Sequence, residues 1–107
     1  MQAIDVLKNA KAVIADPQNW CQGHLATDNK GNEVDTTNEK ATCFCALGAL
    51  YKSFDKLGNW NYDALQAMND VVQMNSDYDT ITAFNDETDR KHSDVVRMFN
   101  KAIVMLS

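Results

Sequence analysis

The run Ala41-Thr-Cys-Phe-Cys-Ala-Leu-Gly-Ala-Leu-Tyr51 has no charged side chain in an otherwise polar sequence, and it constrains the fold more than any other stretch. Wound as a helix, it places Phe44, Leu47, Tyr51 and Phe54 on one side and Cys43, Ala46, Leu50 and Leu57 on a second. The small residues Ala41, Cys45, Gly48 and Ala49 fall on a third. A helix apolar all round is a buried one, because no face is left that water solvates well. A bilayer span needs about 20 apolar residues, so this shorter run reads as the core element of a globular domain.

The flanking sequence supplies the elements that bury it. From Gln2 to Ala15, Ile4, Leu7, Ala10 and Ile14 recur at helical spacing with Asp5, Lys8, Asn9 and Lys11 between them, which predicts a helix with one buried face. Asp16-Pro17 ends it, since the residue before a proline is pushed out of the helical region. Trp20 to Thr27 reads as extended, and Asp28-Asn29-Lys30-Gly31 as a turn into Asn32 to Asp35. Two strands alone are marginal in water, so this hairpin must lean on the helices, through Trp20, Leu25 and Val34.

Thr36-Thr37-Asn38-Glu39 matches a capping box, which predicts that the second helix starts there and runs to Leu57, with Gly58 as its left-handed terminator. Asn61 caps a third helix with Tyr62, Leu65, Met68 and Val72 on one side. Ser76 or Asp77 opens a short turn anchored by Tyr78, Ile81 and Phe84. After the polar loop Asn85 to Arg90, the spacing of Val95 or Val96, Phe99, Ala102 or Ile103, and Leu106 marks a last amphipathic helix. The expectation is a mainly α fold: a compact, single domain of four to five helices spanning residues 1–107, with a small β-hairpin between the first and second helices.

Three groups of residues together resemble an uncharacterised family found in bacterial, notably actinobacterial, and phage genomes, a domain of unknown function. The first is Trp20, Gln22, Gly23, Ala26, Asp28 and Gly31; the second is Cys45-Ala46-Leu47-Gly48-Ala49-Leu50. The third runs from Ile81, Phe84, Asn85 and Asp86 through Arg90, His92, Asp94, Val95 and Phe99 to Ala102 and Ile103. Lys91 stands where the family carries a threonine cap, so Ser93 is the expected cap of the last helix. The resemblance implies no catalytic residue, cofactor or substrate.

Charge narrows the partners. Ten Lys and Arg against fifteen Asp and Glu give a formal charge of -5, which repels phosphate backbones and anionic lipid. Neither direct nucleic-acid nor membrane binding is expected. An odd count of three cysteines fits a reducing compartment better than a disulfide framework. The N-terminal residues have an acid at position 5 and no long apolar core, unlike a signal peptide, so a cytoplasmic protein is expected.

The chemistry is sparse. Cys21, His24, Cys43 and Cys45 are types that hold structural zinc, yet Cys43 and Cys45 on one helix would point about 200° apart, so no metal is expected. Cys21 with His24 or His92 is the one thiol–imidazole pair that would suit nucleophilic catalysis, and the sequence does not fix their separation. Asp28 to Glu39 has the length of a calcium loop, but Lys30 takes a ligand position and Glu33 stands where glycine is needed. Asp77, Asp79, Asp86, Glu87 and Asp89 read as a solvated acidic loop.

The candidate binding residues are therefore Trp20, Gln22 and His24 on one side of a strand, with Asn85, Asp86, Arg90 and His92 at a helix boundary. The same residues suit a structural role, because Asn and Asp at helix ends bond to nearby backbone and Trp packs beside its own hairpin. With no catalytic constellation and no cofactor expected, the sequence leans away from an enzyme. It points to a small, non-catalytic protein-binding module, a phage or mobile-element accessory protein that occupies a host protein, for example as inhibitor of a defence enzyme. The alternatives are an enzyme or small-ligand binder with a polar pocket built from the hairpin and the Asn85 to His92 loop, and a homo-oligomeric structural accessory protein, for instance a homodimer, packed through Gly48 and Ala49.

Overall fold

A computed structural model describes residues 2–58 and 60–107. Five helices account for most of them: α1 (Ala3–Val13), α2 (Ala46–Leu57), α3 (Tyr62–Asn75), α4 (Ile81–Asn85) and α5 (His92–Leu106). A two-stranded antiparallel ladder of β1 (Ala26–Thr27) and β2 (Cys43–Phe44) lies between α1 and α2. The fold is mainly α and compact, with a Cα radius of gyration of 12.6 Å.

The helix that the others gather around is α1 rather than the charge-free run. It packs against α2, α3 and α5, and Val6, Leu7, Ala10 and Ile14 are 0% exposed. These positions fall at the i, i+1, i+4, i+8 spacing of a wide apolar stripe, so one helix can serve several neighbours. On α2, Ala46, Ala49, Leu50 and Phe54 close the core from one side. On α3 and α5, Ala64, Met68, Val72, Val95, Phe99 and Ala102 close it from the others. Tyr62, grouped with Leu65, Met68 and Val72 by its spacing, is 73% exposed at the first position of α3, whereas Met68 and Val72 are buried.

The first half of the charge-free run is not helical. Cys43 and Phe44 pair with Thr27 and Ala26, and α2 starts only at Ala46. The expected cap at Thr36 and Glu39 is displaced by local turns. Asn38 accepts from Lys40 N–H through Oδ1 at 2.8 Å and from Ala41 N–H through its carbonyl at 3.0 Å, which spends the backbone donors a helix would use. The cap that forms is the Cys45 thiol, whose Sγ accepts from Gly48 N–H at 3.3 Å. Gly58 ends α2 in the left-handed region at φ 73°, and Asn61 caps α3 by accepting from Ala64 N–H at 3.0 Å, both as the sequence predicts.

The turn at Asp28 to Gly31 also forms as expected. Asp28 Oδ1 accepts from Lys30 N–H and Asn32 N–H, each at 2.9 Å, and these bonds hold its carboxyl below the usual carboxylate range. The returning segment contributes an isolated bridge between Thr27 and Glu33 and a Val34 N–H bond to Ala26 O at 3.1 Å. β1 therefore lies between this segment and β2, and Trp20 and Val34 pack against the core while Leu25 stays 40% exposed. Thr80, not Ser76 or Asp77, caps α4, accepting from Ala83 N–H at 3.2 Å.

Candidate functional site

Asn85, the last residue of α4, gathers the candidate residues. It is 0% exposed, and both faces of its side-chain amide are fully used. Its Oδ1 accepts from the Trp20 indole N–H at 2.7 Å and from Ala46 N–H at 3.0 Å. Its Nδ2 donates to Cys21 O at 3.2 Å and to Asp86 Oδ1 at 2.8 Å. Two acceptor and two donor sites are the whole capacity of an asparagine side chain, so none remains for a ligand. Ala46 N–H is one of the free donors at the start of α2, which makes Asn85 a cap on a helix other than its own.

Gln22 and Gly23 close the arrangement from the hairpin side. Gln22 Nε2 donates to Asn85 O at 2.9 Å and to Glu87 O at 2.7 Å, and Gly23 N–H donates to Asp86 Oδ1 at 3.1 Å. The hairpin and the loop after α4 thus meet directly through hydrogen bonds. Arg90 braces that loop from within: its Nε donates to Phe84 O at 2.7 Å, and its guanidinium lies 3.6 Å from the Phe84 ring centroid. Tyr78 is bonded through its hydroxyl to Glu87 on the outer side.

His92 lies at the edge of this clasp. Its ring stands edge-on to Trp20 at a centroid distance of 6.0 Å, and its Nε2 donates to Ile14 O at 2.6 Å, capping the C-terminus of α1. It is the first residue of α5. Ser93 is not the cap: Lys91 occupies that position, and the Asp94 carboxylate accepts from Lys91 N–H at 3.2 Å. His24 is apart from the cluster, half exposed, with Nδ1 3.2 Å from Glu33 Oε2.

Two of the three thiols, Cys21 and Cys45, are disfavoured as thiolates. Burial, then the neighbouring Cys45 and Cys43, pushes the Cys21 thiol from the ordinary 9.0 up to about 12. Burial likewise raises Cys45. Cys21 Sγ meets the His24 backbone carbonyl at 3.6 Å rather than its ring, and the His92 ring is engaged by Ile14 O. Such thiols stay protonated near neutral pH, whereas a nucleophile needs thiolate. Among the described residues, no group of three or more His, Cys, Asp or Glu could hold a metal ion.

Gly48 explains why the clasp sits where it does. A Cβ there would lie 1.8 Å from Leu25 O, so the hairpin backbone lies directly on the first turn of α2. Cys45 N–H donates to that same carbonyl at 3.3 Å. Gly48 and Ala49 are buried within the chain by this contact and by the core, and their face is not open to a second copy. Sequence reasoning missed this close approach and the thiol cap. A glycine in a buried helical run was the available signal for the first.

The exposed features lie elsewhere. One depression, about 650 Å³, is bounded by Leu25 and the 33–38 loop. Four others adjoin α5, one of them at its C-terminal end with Asp63 and Asp70 of α3 in its wall, and Trp60 and Tyr62 stand exposed beside one another next to Tyr51. No described helix is long and apolar enough to cross a membrane.

Fold and clasp together define a small helical domain whose buried and part-buried polar residues tie a hairpin to two helix ends. The chain belongs to DUF6197, a family of unknown function, whose model matches residues 1–104. No curated protein and no solved structure matches it.

Proposed function

We propose that this domain is a non-catalytic protein-binding module that acts by occupying a partner protein. The observation that carries the reading is the saturation of Asn85, whose entire hydrogen-bonding capacity goes to Trp20, Ala46, Cys21 and Asp86. A catalytic or ligand site needs polar groups held ready for a substrate, and the polar groups grouped here are bonded to the chain itself. The raised Cys21 thiol adds support, because Cys21 is the nucleophile that the sequence offered.

In its narrower form the reading is a phage or mobile-element accessory protein working in the cytoplasm, with a host defence enzyme as one target. The test is affinity capture from host extract at moderate salt, followed by mass spectrometry. A stoichiometric, repeatable protein partner is expected. Purified protein that captures none and turns over a metabolite would contradict the proposal.

A further inference from the structure

Three shallow depressions of about 470, 560 and 420 Å³ follow one another along the outer face of α5, and Asn100 lines all of them. The first two lie against α1, at Lys11 and Ala15; the last lies against α3, at Val71 and Met74. Val104 is 73% exposed and Met74 68% exposed on this surface. Large side chains held open beside one another mark interaction surfaces more often than singly scattered ones do.

The charge on this surface runs against that of the chain. Lys8, Lys11, Arg97 and Lys101 line the depressions, and no Asp or Glu does. Yet the chain as a whole carries fifteen acids against ten Lys and Arg. Asp94 lies 3.7 Å from Arg97, one turn back on α5, and Asp63 and Asp70 line a separate depression at the C-terminal end of α5. Val96, Asn100 and Val104 recur every fourth residue, so the open stripe repeats once per turn. A helix lying alongside presents its own anchors at i, i+3 or i+4, and i+7, at the same interval.

We infer that the α1–α5–α3 face docks an acidic amphipathic helix of the partner protein, its apolar side chains seated against Met74, Val96 and Val104 and its carboxylates facing Lys11, Arg97 and Lys101. The inference rests on the protein-binding reading above and names the surface and the chemistry it selects. Two other occupants fit less well. A nucleic acid offers phosphates to the cations but nothing to the exposed Met and Val side chains, and meets a chain of charge -5. A second copy packed through the same face would bring two surfaces lined by Lys and Arg together, and like charges across an interface oppose association.

The test is site-specific photo-cross-linking of the full chain in host extract, with a benzophenone side chain placed at Asn100, and separately at Tyr62 and at Thr37. Adducts at Asn100 whose partner segment, read by mass spectrometry, is an acidic amphipathic helix are expected. The double variant Arg97→Glu/Lys101→Glu, at unchanged melting temperature, should lower their yield about tenfold or more. Adducts only at Tyr62 or Thr37 would overturn the inference and leave the protein-binding reading standing. So would Asn100 adducts to nucleic acid, to a second copy, or to a partner segment lacking acids, or a yield unmoved by the charge reversal. No adduct at any position would count against both.

Discussion

The Trp20 indole N–H donates to Asn85 Oδ1 at 2.7 Å across 65 positions of the sequence, and the same oxygen receives the first free N–H of α2 from Ala46. One buried amide thereby ties the segment after α1, the start of α2 and the end of α4. Trp20, Gln22, Asn85 and Asp86, which look like part of a binding motif in the sequence, are bonded in the folded chain to one another.

Replacing Asn85 with alanine is expected to strand the buried Ala46 donor together with the part-buried Trp20 donor and Cys21 carbonyl. Each unsatisfied buried group costs about 1–3 kcal/mol, so a loss on the order of 3 kcal/mol or more is predicted from urea unfolding. Trp20→Phe keeps most of the ring packing and leaves Oδ1 with Ala46 N–H, so it should cost less, about 1–2 kcal/mol. Equal losses would show that Asn85 is not the hub.

Gly48 and Gly58 make a matched pair. Alanine at Gly48 forces a Cβ to within 1.8 Å of Leu25 O, where backbone must move, and should cost about 3 kcal/mol or more. Alanine at Gly58 meets no atom within 4 Å and suffers only the left-handed backbone at φ 73°, a penalty of about 1 kcal/mol. Thermal denaturation of the two variants, side by side, checks the ranking.

The Cys21 thiol gives stability an alkaline limit. Its folded pKa, about 12, lies above the ordinary 9.0, so the folded chain holds this proton more tightly than the unfolded one. That contribution is complete below pH 9.0 and is lost as the pH rises toward 12. The melting temperature should therefore fall across that window, and Cys21→Ser, whose hydroxyl does not titrate there, should fall less steeply. At pH 8, iodoacetamide should label Cys21 and Cys45 slowly in native protein and fast in urea.

His92→Ala removes the donor to Ile14 O and frees the end of α1. A loss of about 1–2 kcal/mol is expected, with amide hydrogen exchange accelerating first near the α1 C-terminus.

Local signals in the sequence carried over well. Gly58, Asn61 and the Asp28 turn each act through atoms within a few residues, and the sequence contains all of those atoms. The start of α2 did not carry over, because Thr36 and Glu39 spell a cap that Asn38 overrides locally and that β2 overrides by pairing with Thr27, far away in the chain. Asn85 was legible as a boundary residue, but its partners come from three separate segments that only the fold assembles. The α5 face was half visible: Val96, Asn100 and Val104 form a second stripe beside the buried Val95, Phe99 and Ala102. What marks that stripe as a surface is that the three depressions around Asn100 draw Lys8, Lys11, Arg97 and Lys101 from two helices and no acid.

Partner capture by two variants compared with the unmodified chain tests the account most directly. Gln22→Ala breaks the clasp bonds to Asn85 O and Glu87 O, whereas Arg97→Glu/Lys101→Glu alters only the α5 face. Captured below the melting temperature of each variant, the partner should be retained by Gln22→Ala and lost by the charge reversal. Loss on Gln22→Ala with retention by the α5 variant would make the clasp the binding site and contradict the account.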